Sequence, residues 1–320
     1  MHSIITKIIE NITPYVIDNG VFTTQVPDLE IIRSDSLTQE LWTLHKPAVC
    51  IVLQGKKRVI LGQQIFDYDQ SKYLSVSFEL PLTGQVIEAS KQKPYLCIKL
   101  NIDSSVLAEL VMTITDGKEA GNTILPGLQI EQATHDILDP IMRLTSLLNQ
   151  PKDIEVLAPL IKREIFYRLL SGPVGHHLIA QTLGVGKSKQ IAKAIAWIKE
   201  NANKPFSAKV VAREAHLSSS ALYKHFKLIT LMSPLQFQKH LRLQEARRLM
   251  AFEGLDAATV SNMVGYESPS QFNREYRRTY GAPPKSDVSE LMKNKIALSL
   301  IKSGIGENAE RITASTSNAA

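Results

Sequence analysis

The chain has 320 residues, of which 44% are apolar, and a formal net charge of +6. That length suits about two domains, the composition is ordinary for a globular protein, and no stretch reaches the ~20 consecutive apolar residues of a membrane span. The charge is local: residues 1–186 carry 16 Lys+Arg against 20 Asp+Glu, residues 187–285 carry 17 against 7, and residues 286–320 carry 4 against 4. A compact basic segment points to a polyanionic partner, nucleic acid first.

The opening residues Met1 to Glu10 lack a basic leader, a long apolar core and a small-residue cleavage site, so the expected location is the cytoplasm. From about Phe22 to Leu100 the chain reads as strands. Ala48–Leu53 is a short apolar run, followed by a Gln54-Gly55 turn signal, then Lys57–Leu61, Gly62-Gln63 and Ile65–Tyr68. Tyr73–Phe78 alternates with period two, and Tyr95–Leu100 closes the series. Short β-branched runs between Gly-containing turns predict a sandwich or small barrel. Both cysteines, Cys50 and Cys97, fall inside apolar runs and read as buried thiols. They are too few for a cysteine-based zinc site, and no disulfide is expected in a reducing compartment.

From Ser104 the pattern turns helical. Val106, Leu107, Leu110 and Val111 form one stripe, and Ile137, Ile141, Leu144 and Leu148 another. Ile154–Leu170 reads as a helix with Leu157, Ile161, Glu164, Ile165 and Leu169 in sequence, ended by Ser171-Gly172-Pro173. Its stripe suits packing on its own domain or pairing with a second copy. Gly184 and Gly186 mark a linker. Gln190 to about Tyr280 reads as short helices, Val288–Ile301 as one more, and the final Ser/Thr/Asn/Ala string as disorder.

The basic segment contains a repeat. Ser220, Leu222, Lys224, Phe226 and Lys227 recur fifty residues later as Ser270, Phe272, Arg274, Tyr276 and Arg277, while Val211 and Ala215 recur forty-nine later as Val260 and Val264. Each copy makes sense as a helix-turn-helix. Ser207 and Ser218 can cap the two helices of the first copy, Asp256 and Ser268 those of the second, with Pro269 at a tolerated first helical position. Leu222, Phe226 and Ile229 point inward at i, i+4 and i+7. The opposite faces then offer Ser219, Ser220, Tyr223 and Lys224, and Pro269, Ser270, Gln271, Asn273 and Arg274, as base-reading groups. Lys227, Arg277 and Arg278, nearer the helix ends, suit phosphates. Between the copies, Pro234 to about Glu253 lacks internal Gly and Pro and reads as one strut helix. Leu235, Leu243, Ala246, Leu249 and Met250 lie on one side of it, Phe237 and Leu241 on the other. Its length, roughly 28 Å, approaches the roughly 34 Å between successive major-groove faces.

From about Gln190 to Pro284 the sequence resembles the DNA-binding domain of the AraC/XylS family. The resemblance is carried by Ser233-Pro234, Arg242-Leu243, Ala246, Val264-Gly265-Tyr266 and Gly281-Ala-Pro-Pro284. His216 and Leu231 stand where that family usually has Gly, and Glu275 and Tyr276 where a more basic or Phe-containing ending is common. The front half resembles the AraC-type N-terminal region through Lys46-Pro47, Val52–Arg58, Leu61-Gly62, Tyr68-Asp69, Leu80–Gly84, Ala89-Ser90, Pro94–Leu96, Glu164–Leu170 and Gly172-Pro173. The resemblance implies an α+β multidomain protein: a cupin-like β-barrel with following helices over 1–186 (helical from about 104), an all-α double helix-turn-helix domain over 187–285, and an extension over 286–320.

A cupin fold can also be an enzyme. A metal-dependent one needs clustered His and carboxylate, yet the strand region has only His45, with His135, His176 and His177 in helical or linker text. No catalysis, metal or cofactor is therefore expected. Trp42, His45, Arg58, Phe66, Tyr68 and Tyr73 are the candidate ligand-pocket residues, although strand aromatics are more often core and Arg58 suits a solvated hairpin. The expected partner is double-stranded promoter DNA. RNA polymerase, a small-molecule effector and a second copy of the chain are further candidates, with control through ligand binding or through dimerisation alone, and no membrane.

Overall fold

The computed structural model describes residues 2–70, 72–115, 126–182 and 186–293. Helix α1 (His2–Ile12) leads into β1 (Gly20–Thr23), β2 (Leu29–Ser34), β3 (Leu41–His45), β4 (Ala48–Gln54), β5 (Lys56–Leu61), β6 (Gln64–Asp69), β7 (Lys72–Val76), β8 (Leu80–Glu88) and β9 (Tyr95–Asn101). Then come α2 (Ser104–Thr115), β10 (Leu128–Gln132), α3 (His135–Ser146), α4 (Ile154–Ser171) and α5 (Gly175–Thr182). The basic segment forms α6 (Gly186–Glu200), α7 (Ala208–Glu214), α8 (Ser219–Thr230), α9 (Pro234–Phe252), α10 (Ala257–Met263), α11 (Pro269–Tyr280) and α12 (Pro284–Leu291).

Two antiparallel sheets face each other, one ordered β1-β2-β9-β4-β7-β10 and the other β3-β8-β5-β6. Side chains alternate across a strand, which explains why β4 is buried almost end to end. Val49, Ile51 and Leu53 face outward into a cluster with α1, α3 and α4, while Cys50 and Val52 face the second sheet. The same alternation puts Leu96, Ile98 and Leu100 of β9 outside and Tyr95 and Cys97 inside.

Several expectations are corrected. β10 interrupts a stretch that reads as helical; its five residues complete the large sheet beside β7, and a segment that short gives no periodicity to recognise. Helix α1 was not foreseen, although Ile8 and Ile12, one turn apart, are buried against the domain. In α4 the stripe predicted from Leu157 is instead centred on Ala158, Ile161, Ile165 and Leu169, and Leu157 is exposed. Leu235, expected inside, is exposed at the start of α9. Helix α12 begins at Pro284, four residues before the predicted Val288; the remainder of that predicted helix and the tail lie outside the described residues, as does Gly184.

The first helix-turn-helix is fused to the sheets. Ile191, Ile195, Val211, Leu222, Phe226 and Ile229 belong to the same buried cluster as Cys50, Tyr68, Leu74 and Cys97. The Gly127 amide donates to the Ile229 carbonyl at 2.8 Å. At the β5–β6 turn Gly62 (φ +62°) lies so close to the first unit that a Cβ there would come within 2.4 Å of the Leu231 carbonyl oxygen. Lys199 pairs with Glu79, and Gln181 donates to the Ser77 carbonyl.

Candidate nucleic-acid interface

Helices α7 and α8 form one helix-turn-helix, α10 and α11 another, and α9 joins them. The caps are mostly those the sequence predicts. The Ser207 hydroxyl accepts from the Val210 amide, that of Ser218 from Ala221, and the Asp256 carboxylate from Ala258 and Thr259. Ser268 occupies the cap position of α11, but its hydroxyl makes no capping bond; Pro269 begins the helix instead. A full capping box between Ser233 and Gln236 starts α9.

With Leu222, Phe226 and Ile229 buried in the first unit and Phe272 and Tyr276 in the second, the opposite faces are forced outward. Ser219, Ser220, Tyr223, Lys224, Pro269, Ser270, Asn273 and Arg274 are all exposed, and Gln271 is half-buried, its side chain reaching back toward Glu275. Lys227, Arg277 and Arg278 are exposed as well. Among the described residues, none of these five cations (Lys224, Lys227, Arg274, Arg277, Arg278) enters an ion pair, whereas Lys239, Arg247 and Arg248 of the strut do. Free cations on the recognition faces and neutralised ones beneath them make an electropositive surface fit for phosphate.

Sequence reasoning did not find what fixes the two units relative to each other. Arg242, half-way along α9, donates to the Ala202 and Lys204 carbonyls at 2.6 and 2.7 Å and to the Gly265 carbonyl at 2.7 Å. One guanidinium thereby ties the loop after α6 to the turn of the second unit. Gln238 adds bonds to the carbonyls of Asn201, Ala202 and Lys204. Gly265 (φ +86°) is obligatory there, because a Cβ would lie 1.9 Å from the Asn203 carbonyl oxygen. Glu275, the departure from a basic ending, is buried between Lys239 at 2.8 Å and the Tyr266 hydroxyl at 3.1 Å. Burial opposes its charge, yet Lys239 and these hydrogen bonds hold its carboxyl below the usual range. Arg247 clasps Asp287 with two bonds of 2.8 Å, and the Tyr276 hydroxyl donates to the same carboxylate at 2.7 Å. His216 and Leu231, at φ of 54° and 57°, adopt the left-handed backbone that glycine normally supplies.

The candidate pocket residues scatter. His45 lines a cavity at the seam between the sheets, with Ser34, Lys46, Lys57, Tyr95 and Lys99. Tyr68 is buried in the inner core, while Tyr73 faces the outer helical cluster. Arg58 is held by Asp67 at 2.7 and 2.8 Å, and half-buried Phe66 packs on the inner core. Trp42 leaves the pocket altogether: it stacks on His240 of α9 at 5.1 Å and meets Tyr280 edge-on. Among the described residues no group of three or more His, Cys, Asp or Glu could hold a metal, and no helix is long and apolar enough to cross a membrane.

Over residues 25–177 the chain matches the family described as AraC-type transcriptional regulator N-terminus, and over residues 211–287 a helix-turn-helix domain family. It is 26% identical over 146 residues to the raffinose operon transcriptional regulatory protein RafR of Pediococcus pentosaceus, covering 45% of this chain and 52% of that protein. It is 22% identical over 170 residues to the transcriptional activator RhaS of Escherichia coli, covering 51% and 61%. The matches thus span about half the length of these relatives. Among solved structures, ToxT of Vibrio cholerae O395, bound to (E)-4-(8-methylnaphthalen-1-yl)but-3-enoic acid, aligns with a TM-score of 0.54 at 12% identity, covering 82% of this chain and 98% of ToxT. At that identity the likeness concerns the fold: a two-sheet domain followed by a helical helix-turn-helix region.

Proposed function

We propose, from the premise that this chain belongs to the AraC/XylS family of transcription regulators, that it binds promoter DNA sequence-specifically by laying α8 and α11 in adjacent major grooves. In this reading Ser219, Ser220, Tyr223 and Lys224, and Pro269, Ser270, Gln271, Asn273 and Arg274, meet base edges, where Arg or Lys reads guanine and Asn or Gln reads adenine. Lys227, Arg277 and Arg278 meet phosphates and supply affinity and salt sensitivity. The observation that carries the reading is the pair of exposed recognition faces whose cations have no carboxylate partner among the described residues. The protein acts without catalysis, in the cytoplasm, where it meets promoter DNA and RNA polymerase. The domain boundaries follow the charge: regulation over 1–186, DNA binding over 187–285, and an extension after that.

Control comes from the N-terminal region. ToxT was captured with an unsaturated fatty acid and with a butenoic acid derivative, which favours a small carboxylate as effector here. Lys57, beside the seam cavity and without an ion pair among the described residues, suits such an anion. A second copy is the other route: Val156, Leu160 and Tyr167 of α4 are exposed apolar side chains on one helix, as an isologous interface would need.

The test is a mobility-shift titration of the full-length protein on the DNA upstream of its own gene, at several salt concentrations and against competing genomic DNA. A salt-dependent complex on a few sites is expected. Absence of any salt-dependent complex at micromolar protein would overturn the proposal.

A further inference from the structure

The inner core of the two-sheet domain contains reactive chemistry that the DNA-binding reading does not use. Cys50 of β4 and Cys97 of β9 are both free thiols, buried on the same inner face. The strands pair Val52 with Cys97 and Cys50 with Lys99, so the two cysteines are diagonal neighbours, and their thiols interact. On the other side of Cys50, its Sγ lies 3.6 Å from His45 Nε2. His45 Nδ1 lies 2.7 Å from the Lys46 carbonyl oxygen. A carbonyl can only accept, so Nδ1 carries the proton and Nε2 is left as a base facing Cys50.

The surroundings favour a guest. His45, Tyr95, Lys57 and Lys99 line the seam cavity of about 40 Å³, room for something the size of a few water molecules. The buried hydroxyl of Tyr95, which lines that cavity, has no well-formed hydrogen bond, so a polar group stands ready for a small polar molecule. Burial resists charge on Cys97. Even so, the Cys50 thiol, Lys57, the Tyr95 hydroxyl and Lys99 together lower its proton affinity, while Cys50 is pushed up and keeps its proton. The two thiols therefore differ: Cys97, whose Sγ donates to the Ile98 carbonyl at 3.5 Å, gives up its proton the more readily, and Cys50 sits beside an imidazole base. An imidazole nitrogen beside a thiol can take its proton and so activate the sulfur as a nucleophile.

We infer that Cys50 and Cys97 form a peroxide-responsive disulfide that shifts the seat of the first helix-turn-helix. Cys97 Sγ, releasing its proton, attacks one oxygen of hydrogen peroxide. The O–O bond breaks, Cys97 becomes a sulfenic acid, and the departing hydroxide takes up the proton that Cys97 had released, leaving as water. Cys50 Sγ then attacks Cys97 Sγ, its proton passing to His45 Nε2. The sulfenic hydroxyl leaves as water with that proton, and the imidazole is regenerated. Two thiols and one peroxide become one disulfide and two waters.

The bond must move the strands. Diagonal neighbours on an antiparallel pair have Cβ atoms several ångströms farther apart (roughly 7 Å) than the ~3.8 Å that a disulfide needs. β4 has a register irregularity between Val52 and Gln54, a natural place for slack. Val52, Leu74 and Val76 pack in the same cluster as Phe226 and Ile229 of α8, so a slide of β4 against β9 is felt at the recognition helix.

The experiment treats folded full-length protein with graded hydrogen peroxide and follows native thiol content and intact mass. Hydrogen exchange over Ser219–Thr230, before and after reduction with dithiothreitol, reads the seat of α8. Loss of both thiols is expected with a mass lower by two hydrogens, restored by the reductant, together with faster exchange in α8. C50A and C97A should each abolish the two-hydrogen loss, and H45F should slow it while leaving its endpoint. Thiols that survive millimolar peroxide in the folded protein, oxidation that stops at sulfinate, or a disulfide that leaves α8 exchange unchanged would each overturn the inference. These readouts need no DNA. A further arm rests on the regulator reading: oxidation should change DNA affinity about fivefold or more. If the disulfide forms and moves α8 but no DNA is bound in either redox state, the regulator reading falls and the dithiol stands.

Discussion

The two helix-turn-helix units share a scaffold but not a foundation. The first has no core of its own: Val211, Leu222, Phe226 and Ile229 are buried together with the inner residues of the sheets, and Phe226 meets Phe237 of the strut edge-on at 5.4 Å. The second has a small separate core of Val260, Val264, Tyr266, Phe272 and Tyr276, clasped by Arg247 and Asp287. It touches the sheets mainly through Trp42 against His240 and Tyr280, and Leu41 against Ala251 and Leu291. One unit is thus part of the two-sheet domain's interior, and the other is docked to its rim. A change inside the sheets reaches the first unit through packing and the second only through the strut.

The sharpest way to break this contrast is to empty each core in turn. Phe226→Ala and Phe272→Ala should each cost about 3–5 kcal/mol in local stability. Hydrogen exchange should speed up across β4, β7 and β9 in the first variant and stay confined to α10–α12 in the second. Equal spread from both would refute the contrast. Next comes the tie between the units. Arg242→Ala removes three charge-assisted bonds to carbonyls, a loss of about 2–4 kcal/mol. In calorimetry one transition should separate into two, the second unit melting first.

The rim contact gives a smaller effect with a defined sign. His240, under Trp42, is held down to about 4 by burial and by the neighbouring Arg278, against an ordinary 6.5. Between those pH values the unfolded chain binds a proton that the folded one refuses, so stability is full above the ordinary value and is lost as pH falls toward 4. The loss should be on the order of 2–3 kcal/mol. Urea midpoints of the wild type should show this slope and those of His240→Leu should lack it. Smallest are the surface substitutions. Lys224→Ala and Arg274→Ala should each relax base preference by about 1–3 kcal/mol at one half of the site. Lys227→Ala should weaken every DNA roughly alike and lower the salt slope by about one. Uniform losses on every sequence for all three would remove the distinction between reading and anchoring.

Much of this was written in the sequence because helix periodicity is local. A residue that is apolar at i, i+4 and i+7, such as Leu222, Phe226 and Ile229, commits the opposite face to solvent whatever the rest of the chain does. The caps at Ser207, Ser218 and Asp256 and the strut from Pro234 follow from bonds spanning only a few residues. The charge split, which needs no structure at all, already pointed to residues 187–285 as the candidate nucleic-acid surface.

What the sequence could not reveal are contacts between residues far apart in the chain. Trp42, an aromatic on a strand, reads as a pocket or core side chain, and only folding brings it to His240. Arg242 reads as one more cation; its three carbonyl partners lie 23 to 40 residues away. Cys50 and Cys97 each read as an unremarkable buried thiol until strand pairing sets them diagonal to each other, with His45 alongside. Secondary structure and face polarity are set by neighbours along the chain. Which faces meet, and hence which side chains share chemistry, is set by long-range packing, and that only the tertiary structure decided.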